Sequence, residues 1–183
     1  MHGDHAPSAR SASVDRLVTT SYLKHLVCTA CGAELGADER HGLCPACGLV
    51  VFARYDLTAL GRSMPVPAFE GRAWDLWRYR ELLPVRADRH AISLGEGGTP
   101  LVPVPRAAAA VGQDRGELLV KEEGANPTGS FKARGLSVAV ARAVELGVDH
   151  VALPSAGNAG AAAAAYAPAG SPATLPCPPM LPP

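Results

Sequence analysis

Residues 122–135 read Glu-Glu-Gly-Ala-Asn-Pro-Thr-Gly-Ser-Phe-Lys-Ala-Arg-Gly, and this stretch decides the fold. Asn126-Pro127-Thr128-Gly129 is turn chemistry, combining a proline-fixed φ with residues that tolerate tight reversal. Ser130 is a good helix N-cap. The helix it opens is predicted to run to Leu146, with Phe131, Leu136, Val138, Val140, Ala143 and Val144 as its apolar surface and Gly147 as its stop. Lys132 then falls in the first turn, where the helix dipole disfavours a cation by roughly 0.3–1 kcal/mol. A purely structural helix would place Asp or Glu there. On position alone, Lys132 is either an ordinary surface lysine or an amine held for covalent chemistry with a carbonyl group.

The flanking segments extend the pattern. Leu118-Leu119-Val120 precedes the turn as a short strand, and Val151-Ala152-Leu153 follows the helix as another. Pro154-Ser155-Ala156-Gly157-Asn158-Ala159-Gly160 then leads into an alanine-rich helix over residues 159–167. A strand, a glycine-bearing turn and a helix N-terminus together present free amides to an anion. Ser155 and Asn158 can equally serve as caps. Strands alternating with helices predict an α/β fold with parallel pairing.

Upstream, Cys28-x-x-Cys31 and Cys44-x-x-Cys47 are separated by twelve residues, and Gly32 and Gly48 each follow a second cysteine. Each pair can present two thiolates from one tight turn, and the glycines let the backbone bend so that amides face sulfur. Four thiolates enclose one tetrahedral Zn²⁺ with no position open to water, so the expected zinc is structural. Tyr22-Leu23-Lys24-His25-Leu26-Val27 and Leu49-Val50-Val51-Phe52-Ala53-Arg54-Tyr55 read as strands of this ribbon. Phe69 to Leu83 reads as a helix ended by Pro84.

The chain has 183 residues, with 17 Lys plus Arg against 17 Asp plus Glu. Zero net charge without a basic cluster argues against nucleic-acid binding, zinc ribbons notwithstanding. No stretch approaches the roughly 20 apolar residues that span a bilayer. The first fifteen residues lack the apolar core of a secretory signal. The expectation is a cytoplasmic protein with neither membrane nor nucleic-acid partner, in which disulfides are disfavoured. Of the 48% hydrophobic content, alanine supplies 33 residues, so large apolar side chains are scarce. The expected organisation is a disordered tail over 1–20, a zinc ribbon over 21–56, a connector over 57–92, an α/β domain over 93–167 and a proline-rich tail over 168–183.

Ser93-Leu94-Gly95-Glu96-Gly97-Gly98-Thr99-Pro100-Leu101, then residues 121–135, then Pro154–Gly160, resemble the pyridoxal-phosphate enzymes of the tryptophan-synthase-β type. The cysteine ribbon ahead of WRYRELLPV and GEGGTPL is similar to that of the zinc-ribbon-bearing threonine synthases. The resemblance covers about residues 22–167. It implies an incomplete fold-type-II domain and pyridoxal 5′-phosphate as cofactor. It implies Lys132 as the lysine that holds the cofactor, Phe131 packing near it, and Asn158 bonding the pyridine 3′-oxygen. It places Ser155, Ala156 and Gly157 on the substrate carboxylate and Thr99 near the substrate. The implied reaction converts O-phosphohomoserine and water to threonine and phosphate, with a small amino acid as substrate and a homodimer in the full-length family. Other cofactor-dependent lyases of this fold, such as cysteate synthase or threonine dehydratase, and a stand-alone zinc-ribbon interaction module are the competing readings.

The tail departs from that family. Seven prolines fall in the last sixteen residues, where proline blocks both helix and central strand. The family's glycine-rich phosphate cradle and its later Ser or Thr on the pyridine nitrogen lie further downstream. The expectation is a truncated chain, inactive as it stands, whether by frameshift in a GC-rich gene, pseudogene, gene-model truncation or natural shortening. Cys177 in this tail reads as an adventitious thiol.

Overall fold

The computed structural model describes residues 21–64, 69–155 and 157–170; the expected disordered tail, Ala156 and Cys177 lie outside the described residues. Among the described residues, two small sheets and four α-helices make a mixed α/β arrangement. Strands β1 (Leu23–Cys28), β2 (Glu34–Gly36) and β3 (Val51–Tyr55) form an antiparallel sheet in the order β2-β1-β3. β1 and β3 match the two strands expected on either side of the cysteines. The short helix α1 (Leu57–Ser63) follows, started by the Asp56 carboxylate accepting from the Ala59 N–H at 2.8 Å.

The connector is not the α-helix expected from Phe69 to Leu83. It turns at Gly71, whose φ is +74°, and beyond that turn Leu76–Leu82 is helical, as 3₁₀ turns with non-helical angles at Tyr79. The reason lies in the loop packed against it. The Leu76 N–H donates to Glu96 O at 2.8 Å, and a Cβ built at Gly97 or Gly98 would sit 2.5 Å from Leu76 N or 2.0 Å from Trp74 O. Backbone meets backbone here, so an α-helical connector would lose its contact with residues 96–98. Both glycines have positive φ, +99° and +56°, which a side chain would strain.

The expected parallel sheet is not formed among the described residues. β4 (Leu101–Pro103) and β5 (Leu119–Lys121) pair antiparallel, with helix α2 (Pro105–Ala110) in the excursion between them. Val151–Leu153 joins no ladder, because no described strand lies beside it to exchange hydrogen bonds.

Helix α3 (Lys132–Glu145) and helix α4 (Asn158–Gly170) carry the interior. The N-cap of α3 is Phe131, one residue later than expected, yet the Ser130 hydroxyl still accepts from the Lys132 N–H at 3.3 Å. Gly147 closes α3 as expected: its N–H reaches Val144 O and the Val148 N–H reaches Ala143 O. α4 runs three residues past Ala167, through Pro168. Proline forfeits one N–H bond there, while Gly170 packs so closely that a Cβ would meet Ile92 Cδ1 at 2.6 Å and Val144 Cγ2 of α3 at 3.0 Å. The core joins Val85, Ile92, Ala133, Val140, Ala141, Ala162, Tyr166 and Ala167. The ribbon is tied to this unit: Asp38 accepts from Arg86 and Arg142, and Arg142 also donates to Ala37 O. No described helix is long and apolar enough to cross a membrane.

Candidate functional site

The four cysteines converge from two turns built alike. In each, the N–H of the following glycine returns to the carbonyl of the first cysteine, Gly32 to Cys28 at 3.3 Å and Gly48 to Cys44 at 2.8 Å. The first cysteine's own N–H bonds the residue five further on, Cys28 to Ala33 O and Cys44 to Leu49 O. Both glycines have φ of +73°, as the knuckle reading requires. The sulfurs all lie within 4.8 Å of one another, with Cys28 to Cys47 at 3.4 Å and Cys31 to Cys44 at 3.7 Å. Tetrahedral thiolates at 2.3 Å from zinc are about 3.8 Å apart, so the quartet fits that ion. The N–H groups of Cys31 and Ala30 draw the Cys28 thiol down to about 6. The Leu49 N–H draws Cys47 down more than any single neighbour raises it, but the Cys28 sulfur, burial and the Cys31 and Cys44 sulfurs together push it up to about 12. Four thiols this close ionise together only around a cation.

The second centre lies where β5 gives way to α3. Lys132 is half-buried, with Nζ 4.4 Å from the centroid of the exposed Phe131 ring. It has no carboxylate partner among the described residues. In the turn just ahead, Thr128 Oγ1 is buried with no hydrogen-bond partner, an orphaned polar atom four residues from the amine. At the start of α4, the Ser155 hydroxyl accepts from Gly157 N–H at 3.3 Å and Gly160 N–H at 3.1 Å, holding the turn while keeping its own proton to donate. Asn158 is the first residue of α4 and exposed. An amine without a carboxylate partner and an orphaned hydroxyl in the turn just ahead of it fit a ligand that carries a carbonyl and hydrogen-bonding groups.

Thr99 is 7% exposed and already bonded twice: its hydroxyl donates to Glu123 Oε1 at 2.6 Å and accepts from Arg134 Nη2 at 3.2 Å. It lines a cavity of about 320 Å³ with Trp74, Arg78, Lys121 and Arg134, whose walls do not include Lys132. Arg134 grips Glu123 through two bonds of 2.7 Å. That grip, then the Thr99 hydroxyl, draws the Glu123 carboxyl down to about 2. Asn126, 4% exposed, accepts from Gly97 N–H and donates to Glu123, joining the Gly-Gly loop to the turn.

Glu96, Glu123, Asn126 and Arg134 organise these segments, and sequence reasoning did not single them out. No local signal marked Glu96: a glutamate between glycines at 95 and 97 reads as an ordinary loop acid.

Residues 92–183 match the family model described as pyridoxal-phosphate dependent enzyme. Among curated proteins, the chain is 40% identical to the threonine synthase of Methanosarcina acetivorans over 158 residues, 86% of this chain and 37% of that protein. It is 42% identical to the threonine synthase of Methanocaldococcus jannaschii over 139 residues, 76% of this chain and 34% of that protein. It is 48% identical to the threonine synthase of Synechocystis over 89 residues, 49% and 23% of the two chains. The chain thus spans about a third of the length of the first two relatives.

Proposed function

The chain belongs to the pyridoxal-phosphate dependent enzymes, and from that premise we propose that it carries the cofactor-lysine part of a threonine synthase, acting on O-phosphohomoserine and water to give threonine and phosphate. The observation that carries the reading is the match to threonine synthases over 86% of the chain, which takes in the cysteine ribbon as well as the lysine turn.

Lys132 would hold pyridoxal 5′-phosphate, and the cofactor would supply an electron sink for charge developing beside its ring. Phe131 would flank it, and the Asn158 amide would bond the 3′-oxygen. Lys132 Nζ, once free of the cofactor, would take and return protons at substrate carbon, at the start of α3. The α4 N-terminus would receive the substrate carboxylate on its amides, with Ser155, Ala156 and Gly157 forming the receiving turn and the Ser155 O–H still available to donate. Thr99 would act from the adjoining cavity, its hydroxyl oriented by Glu123 and Arg134. Cys28, Cys31, Cys44 and Cys47 would bind one structural zinc, which takes no part in the chemistry. A stand-alone ribbon module is disfavoured because the family match lies outside the ribbon.

The test is phosphate release from O-phosphohomoserine, run beside cysteate-forming and threonine-dehydrating assays, on the chain and on the chain extended to the length of its relatives. Release with threonine as product supports the reading. Turnover only in one of the other assays assigns another lyase of the family.

A further inference from the structure

We propose that Glu96 is the positioning residue that sets the register of helix α3 against helix α4, and so places Lys132 relative to Asn158; this rests on the reading of Lys132 as the cofactor lysine. Glu96 is fully buried, at 0% exposure, and among the described residues its hydrogen-bond partners are all neutral, with Arg134 within electrostatic reach only. Its Oε1 accepts from Ser137 Oγ of α3 at 2.7 Å and from Trp77 Nε1 at 3.2 Å. Its Oε2 accepts from Tyr166 OH of α4 at 2.7 Å and from the Leu94 N–H at 2.9 Å. One carboxylate therefore joins the connector, the Gly-Gly loop and both site helices.

An apolar side chain would be a cheaper occupant, because a buried carboxylate with no cation bonded to it must recover its lost hydration largely from neutral donors. The surrounding surfaces show what the charge supplies. α3 and α4 share a core in which Ala133, Ala141, Ala162 and Ala167 are interspersed with only a few larger side chains, chiefly Val140 and Tyr166. Register between packed helices comes from ridges entering grooves, and alanine faces have shallow ridges. Where alanine faces alanine, packing offers little resistance to a slide of a residue's rise, about 1.5 Å, so register has to be held elsewhere. Ser137 and Tyr166, bonded to opposite oxygens of one carboxylate, hold it. Lys132 lies five residues before Ser137 and Asn158 eight before Tyr166, so both stand on the helices the carboxylate locks. The burial that would raise the Glu96 carboxyl is outweighed by Leu94 N–H, Ser137 and Tyr166, which hold it below its ordinary range and keep it an acceptor at both oxygens.

The experiment compares Glu96→Gln, Tyr166→Phe and Trp77→Phe in the full chain. Each is treated with pyridoxal phosphate, reduced with borohydride and digested, and the adduct at Lys132 is measured against Lys24 and Lys121. Hydrogen exchange of residues 157–170 is read in parallel. A misplacement near 1 Å can cost on the order of a hundredfold in reactivity, so Glu96→Gln and Tyr166→Phe should lower the Lys132 share by about tenfold or more. Both should also speed α4 exchange. Trp77→Phe removes a donor that lies on neither site helix; it should lower the melting temperature and leave the Lys132 share intact. The proposal is overturned if Tyr166→Phe, which keeps the carboxylate and the ring, leaves share and α4 exchange unchanged. It is equally overturned if Trp77→Phe depresses both as much as Glu96→Gln. If the unsubstituted chain shows no preference for Lys132, the cofactor-lysine reading fails by itself, and α4 exchange alone decides the register: faster in Tyr166→Phe supports it, unchanged overturns it.

Discussion

The ribbon and the unit built on α3 and α4 meet the same shortage of large apolar side chains in different ways. In the ribbon, the buried apolar set is Leu23, Cys28, Ala37 and Cys44, while Leu43, Leu49, Val50 and Phe52 stand exposed. Its geometry comes from two knuckles that aim four sulfurs at one point. In the helical unit, alanines fill the interior, and specificity comes from buried carboxylates whose partners are scattered along the chain: Glu96 between the helices and Glu145 beneath the 86–90 segment. A metal-type centre is local in sequence and all-or-none. A carboxylate hub is distributed, and its parts can fail one at a time.

Removing the metal should therefore have the largest effect and spare the second region. Cys28→Ser or Cys44→Ser, or stripping with chelator, should cost the ribbon roughly 10 kcal/mol of apparent stability, because binding and folding are coupled. Elemental analysis should find one zinc per chain, and hydrogen exchange should show residues 23–55 released while α3 stays protected. Metal-replete protein without zinc would break the comparison at its first term.

Lys132→Ala tests the other region at its chemical point. The visible absorbance of lysine-bound cofactor and the borohydride adduct should vanish, while Lys24→Ala and Lys121→Ala keep both. The fold should survive, because a cation leaves the positive end of a helix. Melting should rise slightly or hold, by no more than about 0.3–1 kcal/mol. An adduct that moved to Lys121 undiminished would show the assignment to be wrong.

Glu145→Gln probes the seam between the two regions. Glu145 accepts from the Arg86 and Ala87 N–H groups and from Arg142, and its side chain is only 9% exposed. An amide would turn N–H against N–H at one oxygen position and leave Arg142 facing Asp38 alone. The expected loss is roughly 2–3 kcal/mol, seen as a lower melting temperature with zinc content unchanged. Loss of zinc in this variant would mean that the ribbon depends on its docking.

What could be read in the sequence follows the same division. Cys28, Cys31, Cys44 and Cys47 were legible because ligand spacing within a turn is a short-range property, as were β1, β3 and the Gly147 stop. α3 was legible from its apolar period and α4 from its alanines. The connector was not, because nothing local tells that Trp74 O and Leu76 N meet Gly98 and Glu96 across some twenty residues. The strand at 151–153 was misread for the related reason that a strand exists only with a neighbour. Of the site, Lys132 stood out by its place at a helix start, whereas Glu96 and Glu123 look like solvated acids until their donors are assembled around them.

Acid should separate the regions most finely. Glu123 ionises at about 2 in the fold against an ordinary 4.5, held down first by Arg134 and then by Thr99. A depressed carboxyl binds fewer protons folded than unfolded above about 2, so the stability it contributes is complete above about 4.5 and is lost as pH falls through about 2. The pair is roughly a quarter exposed, and screening leaves roughly 1 kcal/mol or less to lose. The ribbon should respond earlier, because protons compete for thiolates at mildly acidic pH. Titrating downward should therefore release zinc first, with exchange around Thr99 and residues 121–134 rising only below about pH 4.5. Glu123→Gln should show the faster exchange already at neutral pH and lose the acid step. If that step persists in Glu123→Gln, another carboxylate carries it, and the Thr99 cluster does not owe its acid sensitivity to the Arg134 grip.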